Sequence, residues 1–317
     1  MSAAMRRVLV CGAQGFIGRH IVQALLASGF TVRAGIRAPS AGALPAGVEP
    51  CPLDFAHDTH ASAWHARVAG CEAVINAVGV LRDPGGRAMQ AIHHTAPAAL
   101  FRACADGGVR RVLQVSALMP PHSRTRYALT KRRAESDLLA LRAEGRLDAC
   151  VLRPSVVIGE GGESTALFNR MARLPLLPWP AQALGPQIQP IRAQDLAQAC
   201  VRLLLADAPL PATLDLVGPE RFRLPDFIAR LRQAAGLNPA RLLPLPAAFG
   251  RASAWLGDLW PRQPWGTETL ALLAADNTGD AGPLQALLGR APQSVIGASG
   301  QGRAFLEIDD GPRLNRP

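Results

Sequence analysis

Lysine and tyrosine are almost absent from the sequence, and aromatic residues make up only 5% of it. Its 34 basic residues include a single lysine, Lys131, and its one tyrosine is Tyr127. With 24 acidic residues the formal net charge is +10, which suits anionic partners such as nucleotides, RNA or acidic lipids and selects none of them. Because the other basic residues are all arginine and runs of basic residues are short, a chain-wide drift towards arginine explains much of the excess of positive charge.

The sequence also lacks the features of secreted and membrane-spanning proteins. Its six cysteines are scattered and form no Cys-x-x-Cys pair, so no disulfide framework is predicted. No stretch approaches the roughly 18 uninterrupted apolar residues of a membrane-spanning helix. The apolar N-terminal stretch is short and enters a glycine loop, unlike a signal peptide. We therefore predict a cytoplasmic protein without a transmembrane segment; peripheral contact with a membrane or a protein complex stays open, and the sequence does not indicate an oligomeric state.

Residues 7–154 alternate short β-branched runs with longer amphipathic segments. This alternation is typical of repeated βαβ units and predicts an α/β fold with a doubly wound parallel sheet, the Rossmann arrangement. Glycines at Gly29, Gly70 and Gly107-Gly108 are expected to end helices in the left-handed conformation. The predicted buried strands cover residues 8–11, 31–36, 48–52, 73–77, 112–116 and 150–153.

After Gly159 the sequence becomes rich in proline and carries most of the tryptophans. Residues 1–160, completed by 185–220, are predicted to form the Rossmann domain, and 161–184 with 221–296 a smaller C-terminal lobe on the substrate side. The run 174–180 is not expected to continue regular sheet, and Asp195 is expected to cap a helix over 196–205. Tryptophans 255, 260 and 265 are expected in the core of the lobe. Residues 297–317 are predicted to form a loose tail.

The first predicted strand leads into a glycine loop and then an amphipathic helix. In this context Gly12 permits a tight turn, Gly15 lets the backbone approach a pyrophosphate, and Gly18 lets the helix pack closely on the sheet. The helix N-terminus at Phe16 and Ile17 offers N–H groups and a positive dipole to the phosphates. The alternative is a simple turn, but the βαβ surroundings favour a dinucleotide site.

The residue about 20 positions beyond the glycines separates the two nicotinamide cofactors. NAD sites carry an acidic residue there, which binds the ribose 2′-hydroxyl, whereas NADP sites carry a basic one. Arg37 occupies this position, with Arg19 and Arg33 expected nearby, so NADP is predicted over NAD. Asp54, after the third strand, is a candidate for the adenine amino group; the alternative role is to cap the following helix.

Tyr127 and Lys131 are four residues apart, a spacing that places two side chains on one face of a helix. The lysine ammonium favours the phenolate and is expected to lower the pKa of Tyr127, so that the phenol can exchange protons. A carbonyl under reduction also needs a hydrogen-bond donor, and Ser116 at the end of the fifth strand is the first candidate. Ser123 and Thr125 are alternatives, and a purely structural Tyr–Lys pair is the competing interpretation.

Together with Asn76-Ala77-Val78-Gly79 and residues 152–159, these motifs resemble the short-chain dehydrogenase/reductase superfamily. More narrowly, the chain is similar, over about residues 6–290, to the NAD-dependent epimerase/dehydratase branch and to atypical members related to the accessory NADPH-binding subunit of respiratory complex I. The resemblance implies that Ala77, Val78 and Gly79 line the cofactor ribose and that Pro154 and Ser155 approach the nicotinamide.

The same resemblance implies catalytic roles. Tyr127 would act as the acid–base group, Lys131 as its electrostatic partner and a ligand of the cofactor ribose, and Ser116 as the carbonyl anchor. Sugar-nucleotide epimerases usually carry serine immediately before the lysine, where this chain has Thr130. The proline, leucine and tryptophan of the lobe favour an apolar substrate or a protein surface over a sugar nucleotide.

Three functions follow from these observations. The leading hypothesis is an NAD(P)H-dependent oxidoreductase acting on a carbonyl or hydroxyl of a small, apolar molecule. The alternatives are a non-turnover NADPH-binding module for assembly or redox sensing, and a sugar-nucleotide epimerase or dehydratase. No metal site is expected, because the histidines lack metal-ligand spacing, and no nucleic-acid binding is expected, because the C-terminal tryptophans are not interleaved with basic residues. Solvated helix faces are expected for His57, His60, His65, His93 and His94.

Overall fold

The computed structural model describes residues 6–37, 44–81, 87–260 and 265–296. In these ranges the strands are β1 (Arg7–Cys11), β2 (Thr31–Ile36), β3 (Glu49–Pro52), β4 (Ala73–Asn76), β5 (Arg111–Val115), β6 (Asp148–Pro154), β7 (Val157–Ile158), β8 (Leu176–Pro180), β9 (Gln187–Ile188), β10 (Ile191–Arg192), β11 (Thr213–Leu216), β12 (Phe222–Arg223) and β13 (Arg241–Leu245). The helices are α1 (Phe16–Ala27), α2 (His65–Val68), α3 (Arg87–Gln90), α4 (Ala96–Asp106), α5 (Arg126–Ala143), α6 (Glu163–Arg173), α7 (Ala193–Leu205), α8 (Leu224–Ala234), α9 (Ala247–Asp258), α10 (Thr267–Leu273) and α11 (Gly282–Leu288).

Strands β1 to β6 and β11 form one parallel sheet in the order β11-β6-β5-β4-β1-β2-β3. The order reverses between β1 and β4, which is the point where doubly wound sheets bind ligands beyond the carboxyl ends of their strands. The predicted Rossmann fold is therefore confirmed. All the predicted strands are present with ends shifted by at most two residues, and the sheet gains β11, for which the sequence indicated no strand.

Alternate residues of each central strand face two different hydrophobic cores. Val8 and Val10 of β1 pack with α1 and α7, whereas Leu9 and Cys11 pack with α4 and α5. Burial on both faces explains why these strands are almost continuously apolar. Helix α11 joins the first core through Leu284, although it lies within the range predicted for the lobe.

A third core forms between α6, α8 and the proline-rich run. Contrary to prediction, that run is a strand, β8, which pairs in parallel with β13. The prolines are tolerated because Pro178 and Pro180 alternate, so their missing N–H groups lie on one side of a strand that has a free edge. Between them Trp179 is buried and donates its indole N–H to the Ala183 carbonyl at 3.0 Å. The proposed division into domain and lobe stays a prediction.

Other expectations about this half of the chain need correction. Helix α7 begins at Ala193, so Asp195 lies within its first turn instead of capping it. Its buried carboxylate accepts hydrogen bonds from the Arg290 guanidinium (2.6 Å) and the Gln293 N–H (2.8 Å). The expected burial of lobe tryptophans is also wrong, because Trp255 and Trp260 are each 62% exposed.

The predictions for the glycine backbone and for the cysteines can be compared directly with the structure. Gly29, Gly70 and Gly108 have φ values of 80°, 71° and 69°, which confirms the left-handed conformation expected there. All the cysteines are buried and free of disulfides. Within the described residues, no helix has the length and apolarity required to cross a membrane. The predicted tail, 297–317, lies outside the described residues.

Candidate active site

The glycine loop joins β1 to α1 in a turn that only glycine permits. Gly12 has φ of +78°, and the N–H groups of Gly12 and Ala13 both donate to the Gly35 carbonyl, at 3.0 and 3.2 Å. A Cβ on Gly18 would lie 2.0 Å from the Gly12 oxygen, and one on Gly15 would lie 3.1 Å from the same atom. Side chains at positions 15 and 18 would therefore push α1 away from the loop.

The N-terminus of α1 carries unused hydrogen-bond donors. Its first intrahelical bond runs from the Arg19 N–H to the Gly15 carbonyl at 3.0 Å, so the N–H groups of Phe16, Ile17 and Gly18 have no acceptor within the helix. No side chain caps this end, and its first turn has no acidic residue. The uncapped positive end at the switch point between β1 and β4 fits the pyrophosphate of a dinucleotide.

The two residues predicted to bind the adenosine part of a cofactor, Arg37 and Asp54, follow β2 and β3. Arg37 is exposed directly after β2, and it contributes to lowering the pKa of Asp54. The main causes of that shift are the hydrogen bond from the Ala56 N–H (2.9 Å) and the contact with His57 (3.0 Å). Asp54 thus stabilises the local turn; its contact with adenine stays a prediction.

The other arginines expected near a 2′-phosphate have different partners. The Arg33 guanidinium lies 3.0 Å from the Glu49 carboxylate and donates to the Arg67 and Ala69 carbonyls. Arg19 donates to the Glu160 carbonyl in the loop that covers the start of α1. The expectation that both assist Arg37 is therefore wrong, because long-range partners turn them towards other parts of the chain.

Residues 77–79 lie between the glycine loop and α5. The Ala77 N–H donates to the Cys11 carbonyl at 3.1 Å, and Val78 packs against Gly12, where an added Cβ would lie 3.1 Å from its side chain. A Cβ on Gly79 would lie 3.1 Å from the Lys131 Nζ. The structure thus brings this segment, the glycine loop and Lys131 together, and contact with a cofactor ribose stays a prediction.

Tyr127 and Lys131 lie on the first turns of α5, which Thr125 caps by accepting a hydrogen bond from the Ala128 N–H at 3.2 Å. The Lys131 Nζ lies 6.0 Å from the centre of the Tyr127 ring and donates to the Val115 carbonyl at 3.2 Å. Lys131 is buried, whereas the Tyr127 side chain is partly accessible. The two side chains share one face at the carboxyl edge of the sheet.

The pKa values of the two groups shift in opposite directions because burial disfavours both charged forms. Burial raises the pKa of Tyr127 to about 12 and lowers that of Lys131 to about 8, although Glu135 opposes the latter shift. The expectation that Lys131 lowers the pKa of Tyr127 is wrong for the protein without its cofactor. At neutral pH the pair is a neutral phenol beside an ammonium.

His93 forms the wall behind this pair. It comes from the π-helical segment Ala91–Thr95 and is only 1% exposed, so its expected place on a solvated face is wrong. Its Nε2 accepts from the Val80 N–H at 3.0 Å, its Nδ1 contacts the Thr130 Oγ1 at 3.1 Å, and its ring meets Tyr127 edge-on. Burial, and secondarily the Lys131 charge, lowers the pKa of His93 to about 2. The imidazole is neutral at physiological pH.

His94 is also partly shielded, and its Nε2 lies 3.0 Å from the Asp137 carboxylate. By contrast, His57, His60 and His65 are exposed, as predicted. Within the ranges that the structure describes, no group of three or more histidine, cysteine or acidic residues is arranged to hold a metal ion.

Ser116 directly follows β5 but engages a carboxylate. Its hydroxyl donates to the Glu135 Oε1 at 2.5 Å and it is 4% exposed. The other oxygen of Glu135 accepts from the Arg153 guanidinium at 2.6 and 3.1 Å. With its proton directed to Glu135, Ser116 is poorly placed to donate to a substrate carbonyl, and its anchoring role stays a prediction.

Pro154 and Ser155 end β6, at the same edge of the sheet. Pro154 is paired with Leu216 of β11, and its carbonyl accepts from the Leu118 N–H at 2.8 Å. The Ser155 hydroxyl donates to Asn277, and it lies 3.3 Å from the Gln189 N–H. Ser155 therefore ties β6 to the C-terminal segment, and the approach of Pro154 and Ser155 to a nicotinamide stays a prediction.

An open cleft of about 560 Å³ is lined by Thr125, the N-cap of α5, which lies two residues before Tyr127. One wall is the loop with Ser123 and Thr125, whose hydroxyls are 3.1 Å apart. The opposite wall is α10, held by a 2.8 Å hydrogen bond from the Arg126 N–H to the Glu268 carboxylate. Both alternative carbonyl anchors therefore line a cleft large enough for a small molecule.

Residues 8–212 match the model of the NAD dependent epimerase/dehydratase family. The chain belongs to this family. Members of the NAD dependent epimerase/dehydratase family are NAD(P)-dependent enzymes, so the prediction of an enzyme with a nicotinamide cofactor is confirmed at that level. The likeness to a complex I subunit stays a prediction.

Two curated relatives are reductases. Ceramide reductase of Caulobacter vibrioides (strain NA1000 / CB15N) is 26% identical over 260 residues, which cover 80% of this chain and 78% of that protein. Dihydroflavonol 4-reductase of Zea mays is 26% identical over 231 residues, which cover 61% of this chain and 64% of that protein. The sequences similar to this chain thus include reductases.

The structure of MoeE5 in complex with UDP-glucuronic acid and NAD has a similar fold. Its TM-score is 0.69 at 20% identity, covering 91% of this chain and 94% of that one. At this identity the similarity shows the Rossmann fold alone.

Glu135, His93 and Asn277 were not predicted to belong to the site. Glu135 follows Lys131 by four residues, so the same helical spacing that linked Tyr127 to Lys131 could have predicted that Glu135 lies beside Lys131. His93 and Asn277 carry no local signal, because their partners lie far away along the chain.

Proposed function

We propose that the chain catalyses NADPH-dependent reduction of a carbonyl, or the reverse oxidation, on a small apolar molecule. The observation that carries the proposal is the pair of Tyr127, partly accessible, and Lys131, buried 6.0 Å from its ring, on helix α5, whose N-cap Thr125 lines an open cleft. A purely structural Tyr–Lys pair would not require the tyrosine to be accessible.

In this proposal the chain positions both reactants. The N–H groups of Phe16, Ile17 and Gly18 hold the pyrophosphate, and NADPH supplies the hydride when bound. Lys131 donates to ribose hydroxyls from its place next to Gly79. Tyr127, a neutral phenol at physiological pH, gives its proton to the carbonyl oxygen as negative charge develops there.

The apolar substrate class is inferred from the relatives. The cleft itself has a mixed lining, with Pro120, Ala271 and Ala275 beside the charged side chains of Arg124 and Glu268. The names of both curated relatives mention reduction, of ceramide in one and of dihydroflavonol in the other. A sugar-nucleotide epimerase is the second candidate, since MoeE5, with the same fold, binds UDP-glucuronic acid.

The preference for NADPH over NADH rests on Arg37. Its exposed guanidinium follows β2, where the ribose 2′-position of a bound dinucleotide lies in Rossmann folds. We expect Arg37→Glu to weaken NADPH binding by about tenfold or more through loss of a charge-assisted phosphate contact, with little effect on NADH. Fluorescence titration with both cofactors measures this, and Arg102→Glu, at an exposed position of α4, is the control. Equal affinity of the wild type for NADH and NADPH would contradict the preference.

Tyr127→Phe tests the catalytic role. Removing the proton donor is expected to lower kcat for NADPH-dependent carbonyl reduction by about 10²- to 10⁴-fold while leaving the Kd for NADPH unchanged. Thr130→Ser, which keeps a hydroxyl on the same helix, is the matched control and should remain active.

Other outcomes of this experiment separate the alternatives. Turnover that survives Tyr127→Phe would exclude the proposed chemistry. A wild-type protein that binds NADPH but turns over no member of a carbonyl panel would favour the non-turnover module. Co-purification of oxidised cofactor without net NADPH consumption would favour the epimerase.

A further inference from the structure

Exposed large apolar side chains are concentrated on one part of the lobe. Among the described residues, ten of the thirteen such side chains lie in two segments, 174–176 and 237–260. The three most exposed aromatic side chains are Phe249 (66%), Trp255 (62%) and Trp260 (62%). We call the following residues the apolar face: Leu242, Leu243, Phe249, Trp255, Leu256, Leu259 and Trp260.

Helix α9 packs on the protein through its small residues. Gly250 and Ala254 are buried, and a Cβ on Gly250 would lie 2.7 Å from the Pro180 side chain. Its large residues point outwards, the reverse of an ordinary surface helix, which buries its large apolar side chains. The apolar face continues onto β13, which pairs with β8, and β8 also contacts α9. Its exposure is therefore built into the packing of α9.

Positive charge lies next to the apolar face. Arg241 and Arg251 are exposed on β13 and on α9, the two elements that carry most of the face. Within 167–180 and 237–260 the one acidic residue is Asp258, whose carboxylate accepts hydrogen bonds from the N–H and hydroxyl of Thr267. The excess of arginine in the whole chain, with its charge of +10, adds to this local field.

We propose that the apolar face docks on the surface of an anionic lipid bilayer. Tryptophan rings favour the headgroup level of a bilayer, and Phe249 and the leucines supply apolar area for the acyl boundary. The arginines attract anionic headgroups. A second copy of the chain fits less well, because a two-fold contact through this face would bring the same arginines together.

Docking here would place the cleft next to the lipid. Helix α9 contacts α10, and α10 forms one wall of the cleft through Thr267, Glu268 and Ala271. An apolar substrate could then pass from the bilayer into the cleft without crossing water. This last step rests on the proposed function, whereas the docking itself does not.

Vesicle co-sedimentation of the full chain, without cofactor or substrate, tests the proposal. We expect binding to vesicles of phosphatidylcholine and phosphatidylglycerol, three to one, and much weaker binding to phosphatidylcholine alone. Trp255→Ala with Trp260→Ala should weaken binding by about tenfold or more, and Arg241→Gln or Arg251→Gln by about fivefold each. Leu205→Ala and Arg202→Gln, both exposed on α7, are the matched controls and should bind as the wild type does.

Several results would overturn the proposal. These are failure to bind either vesicle, or equal binding by the wild type and the double tryptophan variant. A third is a wild-type dimer that does not bind vesicles and that becomes monomeric in the double tryptophan variant. That result would make the apolar face a contact between copies of the chain. A blue shift of tryptophan emission on adding anionic vesicles, lost in the double variant, would support it. Because no turnover is measured, failure here is distinguishable from failure of the proposed function.

Discussion

Tyr127 and Lys131 share one buried environment, which shifts the pKa of each side chain. Burial raises the pKa of the phenol to about 12 and lowers that of the ammonium to about 8, so both are protonated at neutral pH. A protonated phenol can give a proton to a reduced carbonyl, and the ammonium can stabilise the phenolate left behind. The carbonyl must also be held, and here the hydroxyls of the site differ in their partners.

We expect Ser116 and Ser123 to differ sharply when each is changed to alanine. Ser116→Ala removes a hydrogen bond to the Glu135 carboxylate and should lower the free energy of unfolding by about 1.5 to 3 kcal/mol, with little loss of kcat/KM. Ser123→Ala removes a hydroxyl that lines the cleft and should lower kcat/KM by about 10²-fold or more. Urea unfolding and steady-state kinetics measure the two effects.

Ser136→Ala, at an exposed position of α5, is the control for both serine variants. A loss of activity confined to Ser116→Ala would restore Ser116 as the carbonyl anchor. In that case Glu135 would act by orienting the hydroxyl of Ser116, with Arg153 holding the carboxylate.

At the scale of elements, the π-helical segment Ala91–Thr95 brings His93 between the loop after β4 and helix α5. Both ring nitrogens have partners, and the pKa of His93 is lowered to about 2. In the unfolded chain the pKa of histidine is about 6.5, so acid protonates unfolded His93 before folded His93. The stability that the neutral ring provides is therefore complete above pH 6.5 and is lost as the pH falls towards 2.

His93→Gln tests this element, because glutamine can accept and donate hydrogen bonds but does not titrate in this range. The difference in unfolding free energy between wild type and variant should shrink by about 1.4 kcal/mol for each pH unit below about 6.5. Urea unfolding between pH 4 and 8 measures it. His60→Gln, at an exposed position, should follow the wild type. A difference in unfolding free energy that is independent of pH would contradict the assignment of His93 as a buried, neutral imidazole.

At the scale of the whole molecule, Asn277 joins segments that are distant in the sequence. Its side chain donates to the Leu118 carbonyl at 2.5 Å and accepts from the Ser155 hydroxyl, and its backbone pairs with Gln187 and Gln189. It thus connects the loops after β5 and β6, at the carboxyl edge of the sheet, to the segment that leads into α11.

We expect Asn277→Ala to lower the free energy of unfolding by about 2 to 3 kcal/mol, because buried partners lose their hydrogen bonds. The KM of the substrate should rise more than kcat falls, since the variant alters the position of cleft walls and leaves Tyr127 in place. Thermal unfolding and steady-state kinetics measure both quantities. Asn238→Ala, at an exposed position, is the control, and wild-type stability in Asn277→Ala would contradict this role.

Much of the fold and the core of the site could be predicted because their determinants are local. A strand, a glycine turn and a helix follow one another directly at Gly12, and Tyr127 and Lys131 are one helical turn apart. Such relationships depend on sequence spacing alone. The partners of Ser116, Arg33 and Asp195 lie 16 to 98 residues away, so sequence spacing could not reveal them.

The parallel α/β sheet, the glycine loop and the Tyr–Lys pair could be predicted from local patterns, since buried periodicity, glycine sterics and helical spacing act over a few residues. That Ser116 faces Glu135, that His93 is buried behind Tyr127 and that α9 presents Trp255 to solvent could be seen only in the folded chain. Each of these outcomes depends on which distant segments pack together, and that is a property of the whole chain's packing.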